Sequence, residues 1–136
     1  AVLDAMKTLQ QFSFVCAPAP FQYALLEAMP HIDLSPRFVE YQHKRDLIAA
    51  RLHPAYGLAA PEGSFYAFPE LPRDAKGERV DGKRFLDAAL AKNLLIVPGK
   101  SFSAQDTHFR LSFAADDATL HRGLAVLAEL AEAFRA

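Results

Sequence analysis

A strict alternation of apolar and polar residues over residues 107–113 constrains the fold more than any other feature of the sequence. Successive side chains of an extended chain point to opposite faces, so the aromatic and aliphatic residues of this segment share one face. The opposite face carries His108, Arg110 and Ser112. Such a strand is half-buried, so it needs neighbouring strands beside it and a packed layer over its apolar face.

The remaining segments alternate between helical and extended patterns. Helices are predicted over residues 1–12, 21–29, 35–53 and 81–92, and Asp116 and Asp117 open a last helix. Short apolar runs predict strands over residues 64–68 and 94–97, and the second run ends at the turn Pro98-Gly99. The charged segment 73–79 predicts an exposed connection. This order of elements predicts an α/β fold in which a small sheet is covered by helices.

The helix over residues 35–53 is the longest predicted before the sheet. The hydroxyl of Ser35 is expected to cap it, Pro36 fits its first turn, and Pro54 ends it. Lys44 falls among the polar positions of this helix. The residues expected to form the core are Phe38, Ile48, Phe68, Ile96, Phe109 and Leu124.

Composition excludes several classes of protein. The chain has 136 residues, 51% of them hydrophobic, which is enough for one core, and its formal net charge of −1 predicts neither a nucleic-acid partner nor an acidic membrane partner. No apolar run is long enough for a membrane span, and the first residues do not resemble a secretory signal. Cys16 is the single cysteine, so an intrachain disulfide is excluded and a cytoplasmic location is expected.

Motifs for metal binding and nucleophilic catalysis are incomplete. Residues 99–102, GKSF, lack the final glycine of a serine-hydrolase elbow, and residues 98–101, PGKS, lack the first glycine and spacer of a phosphate loop. The histidines do not occur at metal-ligand spacing. We therefore assign no catalytic residue, no metal ligand and no role for Cys16.

Arg110 has two interpretations when its residue type and position are considered alone. A long cationic side chain on the polar face of a strand often serves only to meet water. Its planar guanidinium also matches a carboxylate through two parallel hydrogen bonds, as an amino-acid binding site requires. Periodicity alone does not decide between them.

Three sequence blocks occur in an order that resembles the class I/II pyridoxal-phosphate-dependent aminotransferases, which have the aspartate aminotransferase fold. The blocks are PEGSFYAFPEL from Pro61, NLLIVPGKSFS from Asn93 and DTHFRLSFA from Asp106. The resemblance implies that residues 1–34 are a remnant of the large domain. Residues 35–136 would be the C-terminal small domain, a long interdomain helix followed by a mostly antiparallel sheet covered by helices.

The same resemblance gives Arg110 a role. It implies that Arg110 binds the α-carboxylate of an amino-acid or 2-oxo-acid substrate, while Tyr66, Phe102 and His108 border the cavity without an assigned role. The lysine that binds the cofactor in this family lies in a small-residue context before a glycine-arginine-glycine stretch, and the chain contains no lysine in that setting. Cofactor-binding residues are therefore not assigned.

The resemblance also implies properties of a parent enzyme. That enzyme would be a cytoplasmic, homodimeric transaminase with pyridoxal phosphate, whereas this chain alone would bind no cofactor and show no turnover. The chain would then be a piece of a longer protein. Two alternatives remain: a free-standing amino-acid-binding or regulatory module derived from the fold, and a fragment of a lyase or decarboxylase with the same fold.

Overall fold

The fold described here comes from a computed structural model, which describes residues 2–13, 17–52 and 56–135. Contacts between residues divide the chain into two units, Ala1–Ser35 and Pro36–Ala136. The assignment of the first unit to a large-domain remnant stays a prediction. The predictions made for Cys16, His53 and Pro54 lie outside the described residues.

The first unit contains two helices, as the apolar spacing predicts. Helix α1 spans Val2–Ser13, helix α2 spans Ala19–Ala28, and a 3-10 turn follows over Met29–His31. Proline lacks an amide hydrogen, so Pro20 is tolerated in the first turn of α2 but would not fit farther along a helix. None of the described residues of α1 and α2 is buried, and the exposed apolar side chains include Leu3, Met6, Leu9, Phe21 and Leu25.

Helix α3 spans Ser35–Leu52, and two of its predicted details are wrong. The Ser35 hydroxyl accepts no hydrogen bond from a helix amide among the described residues, and the Ser35 amide itself donates to the Asp33 carboxylate at 2.9 Å. Phe38 was expected in the core but is 66% exposed, because the buried stripe of α3 contains Lys44, Ile48 and Leu52 and does not extend to its first turn.

Lys44 is a further departure, because it is buried rather than on the solvent-exposed face. Its ammonium donates hydrogen bonds to the Glu40 carboxylate at 2.7 Å and to the Ala115 carbonyl at 2.9 Å. These partners replace the water that the charge loses, which is why a lysine is tolerated there. The Glu40 hydrogen bond raises the pKa of Lys44, so the ammonium stays charged.

The sheet has three antiparallel strands in the order β1-β3-β2: β1 is Tyr66–Ala67, β2 is Val97–Pro98 and β3 is Phe109–Ser112. Tyr66 pairs with Ser112, and Val97 pairs with Arg110. The central strand β3 confirms the alternation, because its residues are buried, half-buried, buried and exposed in turn.

The two flanking strands are shorter than predicted. The predicted strand over 64–68 contracts to β1, and Ser64 lies in the left-handed region at φ 67°. The run 94–97 was predicted as a buried strand, but Leu95 is 85% exposed and the strand begins only at Val97. Asn93 lies at φ 59° after helix α4, and the Leu94 amide donates to the Ala89 carbonyl at 2.9 Å. This helix end fixes the backbone at Leu94, and pairing with the sheet begins only at Val97.

Helices α4 and α5 begin at the predicted carboxylates. Helix α4 spans Gly82–Ala91, and the Asp81 carboxylate accepts the Arg84 amide at 2.8 Å. Helix α5 spans Asp117–Arg135, and the Asp116 carboxylate accepts the Thr119 amide at 2.9 Å. Each carboxylate satisfies an amide that has no partner within the helix.

The core lies in the second unit, between one face of the sheet and helices α3, α4 and α5. Phe85 and Phe109 are fully buried, and Tyr56 contacts both rings while its hydroxyl donates to the Leu127 carbonyl. Burial raises the pKa of the Tyr56 phenol. The described residues thus form a small α/β domain with an antiparallel sheet, which confirms the predicted fold class.

Candidate functional site

Arg110 lies in the middle of the sheet, on the face opposite the core. Its neighbours along β3, Phe109 and Leu111, are 0% and 7% exposed, so their side chains fill the core. Side chains alternate along a strand, and Arg110 is accordingly half-buried on the other face. The backbone of β3 is paired on both sides, which gives this side chain a rigid base.

Two aromatic rings contact the guanidinium of Arg110. Its Cζ atom lies 4.2 Å from the ring centroid of Tyr66 and 4.5 Å from that of Phe102. Tyr66 belongs to β1, and Phe102 follows the 3-10 turn Gly99–Ser101 after β2. Ring faces carry negative charge density and attract a cation within about 6 Å, so both contacts stabilise the guanidinium.

Arg110 has no ion pair and no side-chain hydrogen bond within residues 2–13, 17–52 and 56–135. The carboxylate of Glu70, which follows β1, is already engaged by Arg79 at 3.0 Å. The N–H donors of the Arg110 guanidinium therefore remain free for an external acceptor. A half-buried cation without an anion is a feature that a bound carboxylate would satisfy.

The turn Pro98-Gly99 determines where Phe102 lies. The Gly99 amide donates to the His108 carbonyl at 2.9 Å, and a Cβ atom on Gly99 would lie 2.3 Å from that same oxygen. Only glycine permits this approach to β3. The Phe102 amide then donates to the Gly99 carbonyl at 2.8 Å, which places its ring beside Arg110.

Two further aromatic side chains extend this face of the sheet. The rings of Phe68 and His108 stack at 5.0 Å with an interplanar angle of 2°, and Phe68 meets Phe102 edge-on at 6.3 Å. His108 Nδ1 also lies 2.7 Å from the Thr107 hydroxyl oxygen. Phe68 was predicted to be a core residue but is 37% exposed. Strand alternation in residues 66–68 was the available signal, because it puts Tyr66 and Phe68 opposite Ala67.

Other kinds of site receive no support from the described residues. They contain no group of three or more histidine, cysteine, aspartate or glutamate side chains that could hold a metal ion. None of the helices in the described ranges is both long enough and apolar enough to span a membrane.

Comparison with known proteins relates the chain to transaminases, although no protein-family model matches it. The aspartate/prephenate aminotransferase of Thermus thermophilus is 34% identical over 130 residues, covering 90% of this chain and 32% of that protein. The aspartate/prephenate aminotransferase of Cereibacter sphaeroides is 31% identical over 135 residues, covering 91% of this chain and 34% of that protein. The crystal structure of an aspartate aminotransferase from Rhodobacter sphaeroides matches with a TM-score of 0.76 and 25% identity, and the match covers 96% of this chain and 34% of that one. The chain thus spans about a third of the length of the curated relatives that it matches.

Proposed function

Because this chain has the fold of the C-terminal part of the aspartate aminotransferases, we propose that it binds the α-carboxylate of an amino acid or 2-oxo acid through Arg110. One observation carries the proposal. The Arg110 guanidinium is half-buried, contacts two aromatic rings and has no ionic partner among the described residues. An arginine that served only to meet water would not need this setting.

The chemistry of the guanidinium agrees with this role. Its planar fork of donors matches the two oxygens of a carboxylate, and such charge-assisted hydrogen bonds are about twice as strong as neutral ones. In the parent enzyme, fixing the carboxylate would orient the substrate at its α-carbon for proton transfer. Arg110 is therefore a substrate-binding residue in this proposal and carries no bond-breaking step.

A titration of the 136-residue chain with pyruvate, the smallest 2-oxo acid, tests the proposal. Pyruvate is expected to shift the NMR signal of the Arg110 Nε–H group in a saturable manner at low ionic strength. Arg110→Ala should weaken binding by about ten-fold or more, since hydrogen bonds to charged groups contribute about 1.5–3 kcal/mol. Arg110→Lys should give an intermediate loss because it keeps the charge but not the fork.

Two controls make the result specific. Methyl pyruvate lacks the carboxylate and should not bind. Arg84 provides a matched arginine, because its Cζ atom also lies over a ring, that of Phe134 at 5.0 Å, but it is on helix α4. Arg84→Ala should bind pyruvate like the unchanged chain. Equal pyruvate affinity in the Arg110→Ala chain would exclude the proposed role.

Pyridoxal phosphate, implied for the parent enzyme by its aminotransferase relatives, does not fit the residues of this chain alone. Covalent attachment of that cofactor requires an available lysine amine. Lys44, Lys83 and Lys92 hold their ammonium groups in ion pairs with carboxylates. The other lysines are exposed side chains outside the family's lysine motif: Lys7, Lys76 and Lys100. We therefore assign the cofactor to a part of a cytoplasmic, homodimeric parent enzyme beyond these residues.

A mixing experiment tests this assignment. The chain with added pyridoxal phosphate should show neither the absorbance of a lysine-bound cofactor nor transamination of several amino donors. Borohydride reduction followed by peptide mapping is the sensitive measurement, because it would trap the cofactor on any reactive lysine. Stoichiometric labelling of one lysine together with turnover would mean that the active site is complete in this chain.

A further inference from the structure

The two rings that contact Arg110 come from different parts of the chain but meet at one guanidinium. Their centroids lie 4.2 Å and 4.5 Å from the Cζ atom, for Tyr66 and Phe102 respectively. Neither ring is used by the core: Tyr66 is half-buried and Phe102 is 53% exposed. Burial of apolar surface in the core therefore does not account for their position.

Each ring is itself held in place by backbone structure. Tyr66 lies opposite Ser112 in the antiparallel pair of β1 and β3, so its side chain is diagonal to that of Arg110 on the same face. Phe102 is held through the turn at Gly99, whose amide and carbonyl both form backbone hydrogen bonds. The edge-on contact between Phe68 and Phe102 supports the second ring from its other side.

An arginine side chain has many rotamers, and binding a carboxylate requires it to give up this freedom. Contacts that restrict the guanidinium before the ligand arrives move this entropic cost from binding to folding. Both rings contact the guanidinium through their π faces, and the Tyr66 hydroxyl accepts no hydrogen bond from it. The guanidinium is thus restricted while its N–H donors stay free for a ligand.

We propose that Tyr66 and Phe102 are positioning residues that order the Arg110 guanidinium for carboxylate binding. The inference rests on the proposed function of Arg110 and adds to it the residues that determine the affinity. Neither ring contacts the carboxylate in this proposal. Each acts on the ligand through the orientation and the restricted motion of the arginine.

Four variants of the full chain test the inference, two that remove a ring and two that keep it. Phe102→Leu and Tyr66→Leu remove the π face, whereas Phe102→Tyr and Tyr66→Phe retain it. The readouts are 15N relaxation of the Arg110 Nε–H group in the free chain and the affinity for pyruvate. An unchanged backbone amide spectrum for the core establishes that each variant is folded.

The ring-removing variants should increase the fast motion of the Arg110 Nε–H group and weaken pyruvate binding about two- to five-fold each, the range expected for an exposed cation–π contact. The ring-keeping variants should behave like the unchanged chain in both measurements. A general structural role would not move the relaxation of one side chain while the core spectrum stays constant.

Measurements on the unchanged chain and on the leucine variants distinguish the positioning role of the rings from the binding role of Arg110. If the unchanged chain does not bind pyruvate, the proposed function fails. If the chain binds but Phe102→Leu and Tyr66→Leu leave either the affinity or the motion of Arg110 unchanged, the positioning role is overturned while Arg110 keeps its own.

Discussion

Replacing Gly99 by alanine should destabilise the domain, because the added methyl group has no room. Its Cβ atom would lie 2.3 Å from the carbonyl oxygen of His108 and 2.7 Å from the carbonyl carbon. Ordinary contacts of this kind begin near 3.4 Å, so the turn would have to move by about 1 Å. That movement also breaks the 2.9 Å hydrogen bond from the Gly99 amide.

The magnitude follows from these two effects. Forcing a methyl group into a packed region costs about 1–3 kcal/mol, and losing one hydrogen bond costs about 1 kcal/mol. We therefore expect Gly99→Ala to lower the free energy of unfolding by about 2–4 kcal/mol. The same displacement should move Phe102 away from Arg110 and change the NMR shift of the Arg110 side chain.

Urea unfolding followed by near-ultraviolet circular dichroism of the aromatic side chains, which include the buried Tyr56, measures the change, with Gly63→Ala as the matched control. A Cβ atom on Gly63 meets no atom within 4 Å, so this alanine should change the free energy of unfolding by less than about 1 kcal/mol. A free energy of unfolding for Gly99→Ala within about 0.5 kcal/mol of that of the unchanged chain would contradict this expectation.

Two further predictions concern pH and the first unit. The hydrogen bond from the Thr119 amide lowers the pKa of Asp116 in the folded chain below its ordinary value of 3.8. The ionised Asp116 carboxylate therefore contributes fully to stability above pH 3.8, and this contribution is lost as the pH falls through the lower pKa of the folded chain. Asp116→Asn keeps a capping oxygen but cannot titrate. The urea midpoint of this variant should therefore fall less between about pH 5 and pH 2 than that of the unchanged chain. An equally steep fall in both chains would contradict the contribution of Asp116. Deleting residues 1–29 should leave cooperative thermal unfolding by circular dichroism, because the core cluster runs from Ile48 to Ala131 within the second unit. A broad transition would show that the deleted segment belongs to that core.

Local sequence patterns predicted the elements that depend on a strict residue period or on a nearby capping residue. The central strand followed from the alternation around Arg110, and the starts of α4 and α5 followed from Asp81 and Asp116. The run 94–97 failed because its composition suits a strand, whereas the helix end at Asn93 decides its path. The periodicity of a single sequence does not show which of these two local preferences prevails.

The surroundings of Arg110 were harder to predict than its position. Its place on the polar face follows from strand period, but its contact with Phe102 depends on the close approach of Gly99 to His108. Likewise, the burial of Lys44 depends on the Ala115 carbonyl, which lies far along the chain. Such long-range contacts leave no periodic trace in the sequence, so the pattern places Lys44 only among the polar positions of α3.

The buried ammonium of Lys44 has a mechanical consequence. It joins helix α3 to Ala115, which lies shortly after the strand that carries Arg110, by a hydrogen bond of 2.9 Å. Burial of apolar surface is non-directional, whereas a charged hydrogen bond requires a defined distance and direction between its two groups. The chain that leaves β3 is therefore held to α3 by a contact of defined direction, in addition to the apolar packing of the core.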